Sequence, residues 1–378
     1  MKNLIIVYHY IAHYRVPIFK ELAKSNEFDL KIVTGFETDA RIKIALENDL
    51  HNNKINFHKV KNIWLFRNLF LYQKGLLKYI LKRDNKTFIF LGNPYFLSTW
   101  TAIILCKFSG KRVLIWTHGI TKEINGLKLL VYKTLWMLSD DILLYGNYAK
   151  KQMISKGIDP KKMHVIYNSL DYNKQVEVRN KLDKSDVYRN HFNNDFPVVI
   201  FSGRLNKVKR LELILESQKV LHDRNVFFNV IFVGDGPEIV KLKEIVNDYN
   251  LDNFNWFFGS CYEESKMGEL YFNADVCLAP GNVGLTAMHS MVYGTPVITH
   301  SDYSQQMPEF ESVEKGVTGD FFEKDNIDDL VLVLHKWLNK THTEKVEISN
   351  YCINVIDEKY NPIVQKKLIT KVLNNEVV

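Results

Sequence analysis

The sequence predicts an α/β protein of two doubly wound domains, each a mostly parallel sheet with helices on both faces. Three observations carry this. Short, continuous apolar runs alternate with helical patterns in both halves, as strands buried on both faces require. The alternation breaks once, in a polar run over residues 172–196, and then restarts. A chain of 378 residues is also long enough for two or three domains, each with its own core.

In the first half, Leu4–Tyr8 reads as a strand and Val16–Ser25 as a helix. Phe28–Thr34 and Phe88–Leu91 are strands, and Pro94–Phe108 is a helix. Val113–Thr117, Asp141–Tyr145 and Met163–Ile166 are strands, separated by helices over Leu127–Leu138 and Ala149–Lys156. After the polar run, read as a linker, strand Val198–Phe201 leads to helix Leu211–Leu221. Strand Asn229–Val233 ends in the turn Gly234-Asp235-Gly236-Pro237 before helix Glu238–Tyr249. Strand Asn255–Phe258, a helix near Lys266–Phe272 and strand Val276–Ala279 follow. Helix Leu285–Tyr293, strand Pro296–Thr299 and helix Ile327–Leu338 complete the pattern. The expected domains are 1–175 and 190–350, with a helical segment over 351–378 that crosses back to the first. Doubly wound domains bind ligands at the carboxyl ends of their strands, so the two would face a common cleft.

Composition excludes several classes. The apolar (46%) and charged (25%) fractions are those of an ordinary globular chain, and no period of 20–50 residues marks a solenoid. Cys106, Cys261, Cys277 and Cys352 are widely spaced in apolar surroundings, which points to reduced core thiols and a cytoplasmic setting. Met1-Lys2-Asn3 leads directly into a strand, without a signal peptide pattern. The uncharged stretch from Thr87 to Cys106 is broken at Gly92-Asn93-Pro94, leaving less than the ~18–20 apolar residues of a membrane span.

Charge is uneven. Residues 1–180 hold 29 Lys and Arg against 14 Asp and Glu, whereas the remainder holds 21 against 29. Over residues 59–86, Trp64, Phe66, Phe70 and Tyr72 interleave with Lys61, Arg67, Lys74, Lys78, Lys82 and Arg83. Two readings stand: an anionic membrane surface binds here, or the stretch is a solvated helix with core aromatics. No nucleic-acid module is recognisable, so nucleic acid is not expected as a partner.

The segment Phe201–Glu216 carries the chemistry. A buried strand enters a glycine turn at Gly203, and Arg204 and Lys209 follow five apart before an amphipathic helix. Two permanent cations at such a turn suit a diphosphate and its departure as a leaving group. Downstream, Pro280-Gly281-Asn282-Val283-Gly284 forms a second glycine turn before Leu285 and its helix. Lys207 and Arg210 read as solvated charges. No metal-ligating cluster or strand-ending Asp-x-Asp pair is visible, so no metal is expected, and the two cations would serve in its place.

These motifs resemble the family-four retaining glycosyltransferases of the GT-B fold. The matching segments are FSGRLNKVK (201–209), IFVGDGPE (231–238), APGNVGLTAMHSMVYGTPVI (279–298) and MPEFESVEKGVTGDFF (307–322). In the first half, HYRVPIFKEL (13–22) is similar to the acceptor-side helix of capsule and lipopolysaccharide transferases, WTHG (116–119) to the family's histidine turn, and KMHVIYNSLD (162–171) to the strand before the interdomain linker. The resemblance implies two Rossmann-like domains and no cofactor beyond a nucleoside diphosphate sugar as co-substrate. It implies transfer of a sugar, with retention and without metal, to a hydroxyl of a glycan or polyprenyl-linked acceptor at the inner face of the cell membrane.

By resemblance, Arg204, Lys209 and His118 are catalytic. Gly203, Gly234, Gly281, Asn282, Val283, Gly284, Leu285, His289 and Glu309 bind the donor, and His13, Tyr14 and Arg15 meet the acceptor. Each has a plainer reading: surface charge for the cations, a structural turn for the glycines, a packed loop residue for His118, a salt-bridged helix cap for Arg15. Asn147 and Asn168 are further polar candidates. The chain departs from the family where two glutamates stand eight apart, because it has Gly281 and His289 there, and Ser304-Gln305-Gln306 replaces a Gly-Gly turn. That departure leaves two alternatives open: a partner subunit without activity, or a nucleotide-sugar epimerase on the same fold.

Overall fold

The computed structural model describes residues 2–37 and 43–376, so residues 377 and 378 of the expected C-terminal segment lie outside it. The chain divides into two compact units, Met1–Leu170 with Pro362–Val378, and Asp171–Asn361.

The first unit begins with β1 (Lys2–Tyr8), α1 (Val16–Ala23), β2 (Phe28–Thr34), α2 (Glu47–Asn52) and β3 (Phe57–Lys59). A hairpin of β4 (Lys61–Leu65) and β5 (Phe70–Lys74) and the short α3 (Leu77–Ile80) follow. Then come β6 (Asn85–Leu91), α4 (Leu97–Phe108), β7 (Arg112–Thr117), α5 (Gly126–Met137), β8 (Asp141–Leu144), α6 (Asn147–Ser155) and β9 (Met163–Val165). Seven strands form one parallel sheet in the order β3-β2-β1-β6-β7-β8-β9. The strand order reverses between β1 and β6. Chain progress to β2 lies on one side of β1, and progress through β6 to β9 on the other.

The second unit opens with α7 (Tyr172–Arg179) and α8 (Val187–Phe192). Its core is β10 (Val198–Ser202), α9 (Glu212–Asp223), β11 (Asn229–Val233), α10 (Ile239–Asp248), β12 (Asn255–Gly259), α11 (Glu264–Asn273) and β13 (Val276–Ala279). It continues with α12 (Leu285–Met291), β14 (Val297–His300), β15 (Gly319–Phe322), α13 (Ile327–Leu338) and α14 (His342–Glu358). The parallel sheet has the order β12-β11-β10-β13-β14-β15, and its central β10, β11, β13 and β14 are buried along their whole length. The last helix, α15 (Pro362–Leu373), belongs to the first unit, where Ile369 and Val372 pack with Phe19 and Leu22 of α1. Arg112 donates to the carbonyls of Val372 and Leu373 at its end.

Two expectations are corrected. Residues 59–86 are not a helix; they fold mainly as the antiparallel β4–β5 hairpin, closed by Phe66, Arg67 and Asn68 with positive φ. Residues 172–196 are not an open linker. α7 and α8 lie on the second unit, through Arg179 to Asp357 at 3.0 Å and the Tyr188 hydroxyl to the Leu270 carbonyl. The run looked polar because only one narrow face of each short helix is buried.

Candidate functional site

In the second unit, the turns that leave β10, β11 and β13 meet backbone to backbone. Gly203 N–H donates to the Val233 carbonyl at 2.9 Å, and a Cβ on Gly234, whose φ is +147°, would fall 1.9 Å from Gly203 O. Between β10 and α9 a short turn at Lys207–Lys209 carries the expected cation inward. Lys209 Nζ donates to Asn282 O at 2.7 Å and to Asn282 Oδ1 at 2.8 Å, while Gly281 N–H donates back to Lys209 O at 2.9 Å. Burial lowers the Lys209 pKa to about 8, against the opposing pull of the buried Glu309 carboxylate. Arg204 is exposed and has no described hydrogen bond or ion pair among the described residues. Arg210, read as solvated, instead pairs with Glu212 at 2.7 Å and with Asp325.

The absence of a glutamate at 281 has a steric reason. A Cβ there would lie 2.1 Å from Val208 O and 2.6 Å from Lys209 Cα. Any side chain would push the two turns apart. The turn is braced from below by Gln306, which accepts from Val283 N–H at 2.7 Å and donates to Thr299 Oγ1 and His300 O. The amides of Gly281 and Val283 are thus occupied within the protein; those of Asn282, Gly284 and Leu285 have no described hydrogen bond among the described residues. His289, on α12, lies with Nε2 2.8 Å from Glu264 Oε1, and Tyr293 donates to the same oxygen at 2.7 Å. Burial pushes the Glu264 carboxyl up, but bonds from His289, Tyr293 and Gln175 outweigh it and hold the pKa at about 2. The His289 ring also packs 5.2 Å from Tyr271, whose hydroxyl bonds Ser202, the residue before Gly203. Glu264 was not singled out from sequence, and Gln306 stood there only as part of the Ser304-Gln305-Gln306 replacement of a Gly-Gly turn; both reach the site only through folding.

In the first unit, a cavity of about 410 Å³ opens at the point where the strand order reverses. His9 and Tyr10 follow β1, Gly92 and Asn93 follow β6, and His118 and Gly119 follow β7. Tyr14, Phe96, Trp116, Tyr132 and Tyr145 supply further aromatic wall. Tyr14 and Arg15 line it, as does His118, whose ring stands 4.6 Å from Tyr145. His13 is exposed beside the Lys43 carbonyl, outside the lining. Arg15 is 5% exposed, donates to Asn168 Oδ1 at 2.8 Å and to the Tyr145 hydroxyl, and lies over the Tyr145 and Trp116 rings. Asn168 is thus a buried brace for Arg15, and Asn147 stands exposed at the start of α6. Among the pocket residues missed from sequence is His9. Its Nδ1 is buried without a hydrogen-bond partner among the described residues, and burial lowers its pKa to about 4. Its position just past the carboxyl end of β1 was the available signal.

Among the described residues, no group of three or more His, Cys, Asp or Glu is placed to hold a metal.

Residues 184–375 match the family described as glycosyl transferases group 1. A glycogen synthase from Hydrogenovibrio crunogenus is 30% identical over 132 residues, 34% of this chain and 26% of that protein. A glycosyltransferase of uncharacterized role from Methanocaldococcus jannaschii is 30% identical over 133 residues, 35% of this chain and 32% of its own. The match therefore spans about a quarter to a third of these curated relatives. Among solved structures, HepE from Anabaena in complex with UDP superposes with a TM-score of 0.74 at 16% identity, covering 99% of this chain and 100% of that one. The lipopolysaccharide outer core galactosyltransferase WaaB superposes at 0.69 and 14% identity, over 100% of both chains. The two doubly wound units have the GT-B fold, and the chain belongs to the glycosyl transferases group 1 family.

Proposed function

We propose that this chain transfers a sugar from a nucleoside diphosphate sugar to a hydroxyl of a surface glycan, of the lipid-linked kind used for capsule or lipopolysaccharide. The observation that carries the reading is Lys209: a cation drawn into a buried turn and held on the two oxygens of Asn282. Arg204 supplies a second, solvent-facing cation on the same loop. Together they neutralise the diphosphate as the sugar C1–O bond breaks, the work a metal does elsewhere. The acceptor oxygen forms the new bond to C1, and its proton passes to the departing diphosphate on the same face, with retention. Lys209, Asn282 and the free amides near Gly284 hold the diphosphate. His289, oriented by Glu264, faces the nucleoside side.

The relatives support a uridine nucleotide, because HepE structures contain UDP and UDP-glucose. WaaB, a lipopolysaccharide galactosyltransferase, supports the glycan class. The aromatic cavity of the first unit suits a sugar ring stacked on Tyr and Trp faces, with His118, Tyr14 and Arg15 at its wall. The reaction belongs on the cytoplasmic side, where nucleotide sugars are made.

A second reading has one observation in its favour: the carboxylate position at 281 is sterically closed. It makes the chain a partner subunit that binds without turnover. Incubating the protein with UDP-, GDP- and dTDP-sugars, with and without a glycan acceptor, tests both. Acceptor-dependent release of free nucleoside diphosphate supports transfer. Epimerised free donor or no release from any donor would reject it.

A further inference from the structure

α5 turns an apolar stripe to solvent. Leu127, Leu130, Val131 and Met137 are 76%, 59%, 37% and 67% exposed. At 3.6 residues per turn they share an arc of about 120°. The buried Trp136 and the packed Leu129 and Tyr132 lie on the far side. α4 repeats the arrangement. Ile104 and Phe108 are 44% and 88% exposed, while Ala102, Ile103 and Cys106 face the sheet. Both helices pack on the same core cluster, so their outer stripes lie on one side of the sheet. Lys107 Nζ to Asp140 Oδ1, at 2.6 Å, ties the end of α4 to the turn after α5.

The charge around these stripes is one-sided. Residues 97–162 contain 11 Lys and Arg and 4 Asp and Glu. Of those acids, Asp140 and Asp141 already bind Lys107 and Arg112. Lys122 and Lys128 are exposed beside the α5 stripe. Protein interfaces deplete lysine at their apolar cores, whereas helices lying on anionic bilayers combine aliphatic insertion with lysines that reach the headgroups. In the same unit, Phe66 and Leu69 at the β4–β5 tip are 76% and 53% exposed with Arg67 between them, so the stretch 59–86 carries the same chemistry.

We infer that the α4–α5 face is a docking surface for an anionic lipid bilayer. It deepens the proposed function, because a lipid-linked acceptor is met at such a surface. The test does not depend on turnover. The full chain is sedimented with phosphatidylcholine vesicles made with and without phosphatidylglycerol. Recovery on the anionic vesicles alone, reduced by added salt, is expected. Leu127→Ser with Leu130→Ser, and separately Phe108→Ser, should each weaken it about tenfold or more, since each removes aliphatic or aromatic insertion. Lys122→Gln with Lys128→Gln should weaken it without changing the thermal midpoint. Donor-sugar turnover on a water-soluble acceptor should be the same in all variants, which separates this face from the donor site. Equal binding to both vesicle types, or unchanged binding by the variants, overturns the inference. So does light scattering that shows a dimer dissolved by Leu127→Ser, since the face would then join two copies of the chain.

Discussion

Lys209 places its ammonium between the main-chain and side-chain oxygens of Asn282, at 2.7 and 2.8 Å, and so ties the turn after β10 to the turn after β13. The same contact fixes the charge where the proposed leaving group needs it. Lys209→Ala should lower turnover by about 100-fold or more, the scale for losing one charge stabiliser. A rate close to wild type, measured as nucleoside diphosphate release, would remove Lys209 from the mechanism.

The lowered pKa of Lys209 gives this role a pH signature. Burial leaves the folded pKa at about 8, below the ordinary 10.5. In the free enzyme, the required ammonium is lost as pH rises through about 8, so kcat/KM should fall there. Stability should move the other way. The folded state releases the proton before the unfolded chain does, and stability therefore rises with pH between about 8 and 10.5. Lys209→Arg should erase the alkaline limb in kcat/KM. A limb that persists in that variant belongs to another group.

Restoring the family's glutamate at 281 should fail. Because a Cβ would meet Val208 O and the Lys209 backbone, Gly281→Ala and Gly281→Glu should each cost about 1–3 kcal/mol of stability, as overpacking does. Neither should gain activity. Thermal melting alongside donor turnover checks both points, and a glutamate variant that melts like wild type with faster turnover would contradict the packing argument.

The Glu264–His289 pair should matter to stability under acid. The folded carboxyl has a pKa of about 2 against an ordinary 4.5. Its contribution is present above 4.5 and is lost as pH falls towards 2. Glu264→Gln should cost about 1–3 kcal/mol at neutral pH, the range for breaking a buried, charge-assisted bond, and should flatten the acid limb of a melting-temperature profile. If His289 meets the nucleoside, the same variant should also weaken UDP more than 2′-deoxy-UDP in calorimetric titration. Equal losses for both ligands would confine the pair to a structural role.

His9 offers a test of the first unit's cavity. Its imidazole is held neutral by burial, with a pKa of about 4. The unfolded chain takes up that proton first as pH falls below 6.5, so the residue destabilises the fold between 6.5 and 4. His9→Phe should therefore narrow the difference in melting temperature between pH 7 and pH 5, and should raise the acceptor KM with kcat little changed. An unaltered KM would detach the cavity from the acceptor.

Much of this was legible along the chain. The continuous apolar runs Leu4–Tyr8, Val198–Phe201 and Val276–Ala279 are strands because only a sheet covered on both faces makes such runs favourable. The Gly203–Lys209 segment also read correctly as a strand-to-turn motif, since its signal lies within ten residues. Other features escaped. The β4–β5 hairpin alternates weakly, and its left-handed turn at Phe66, Arg67 and Asn68 lacks the usual glycine.

Sequence by itself determined two sheets, all their strands but β3 and β15, and a pair of cations on a glycine loop, because these depend on local propensity and on runs a few residues long. Tertiary structure decided that Lys209 faces Asn282 and not open solvent, that Gly281 has no room for a carboxylate, that Arg15 and Asn168 are buried together, and that Glu264 supports His289. Each of those facts joins residues 25 to 153 positions apart. At such separations the contact is set by where the packed sheets bring the loops, and no periodicity in the chain encodes it.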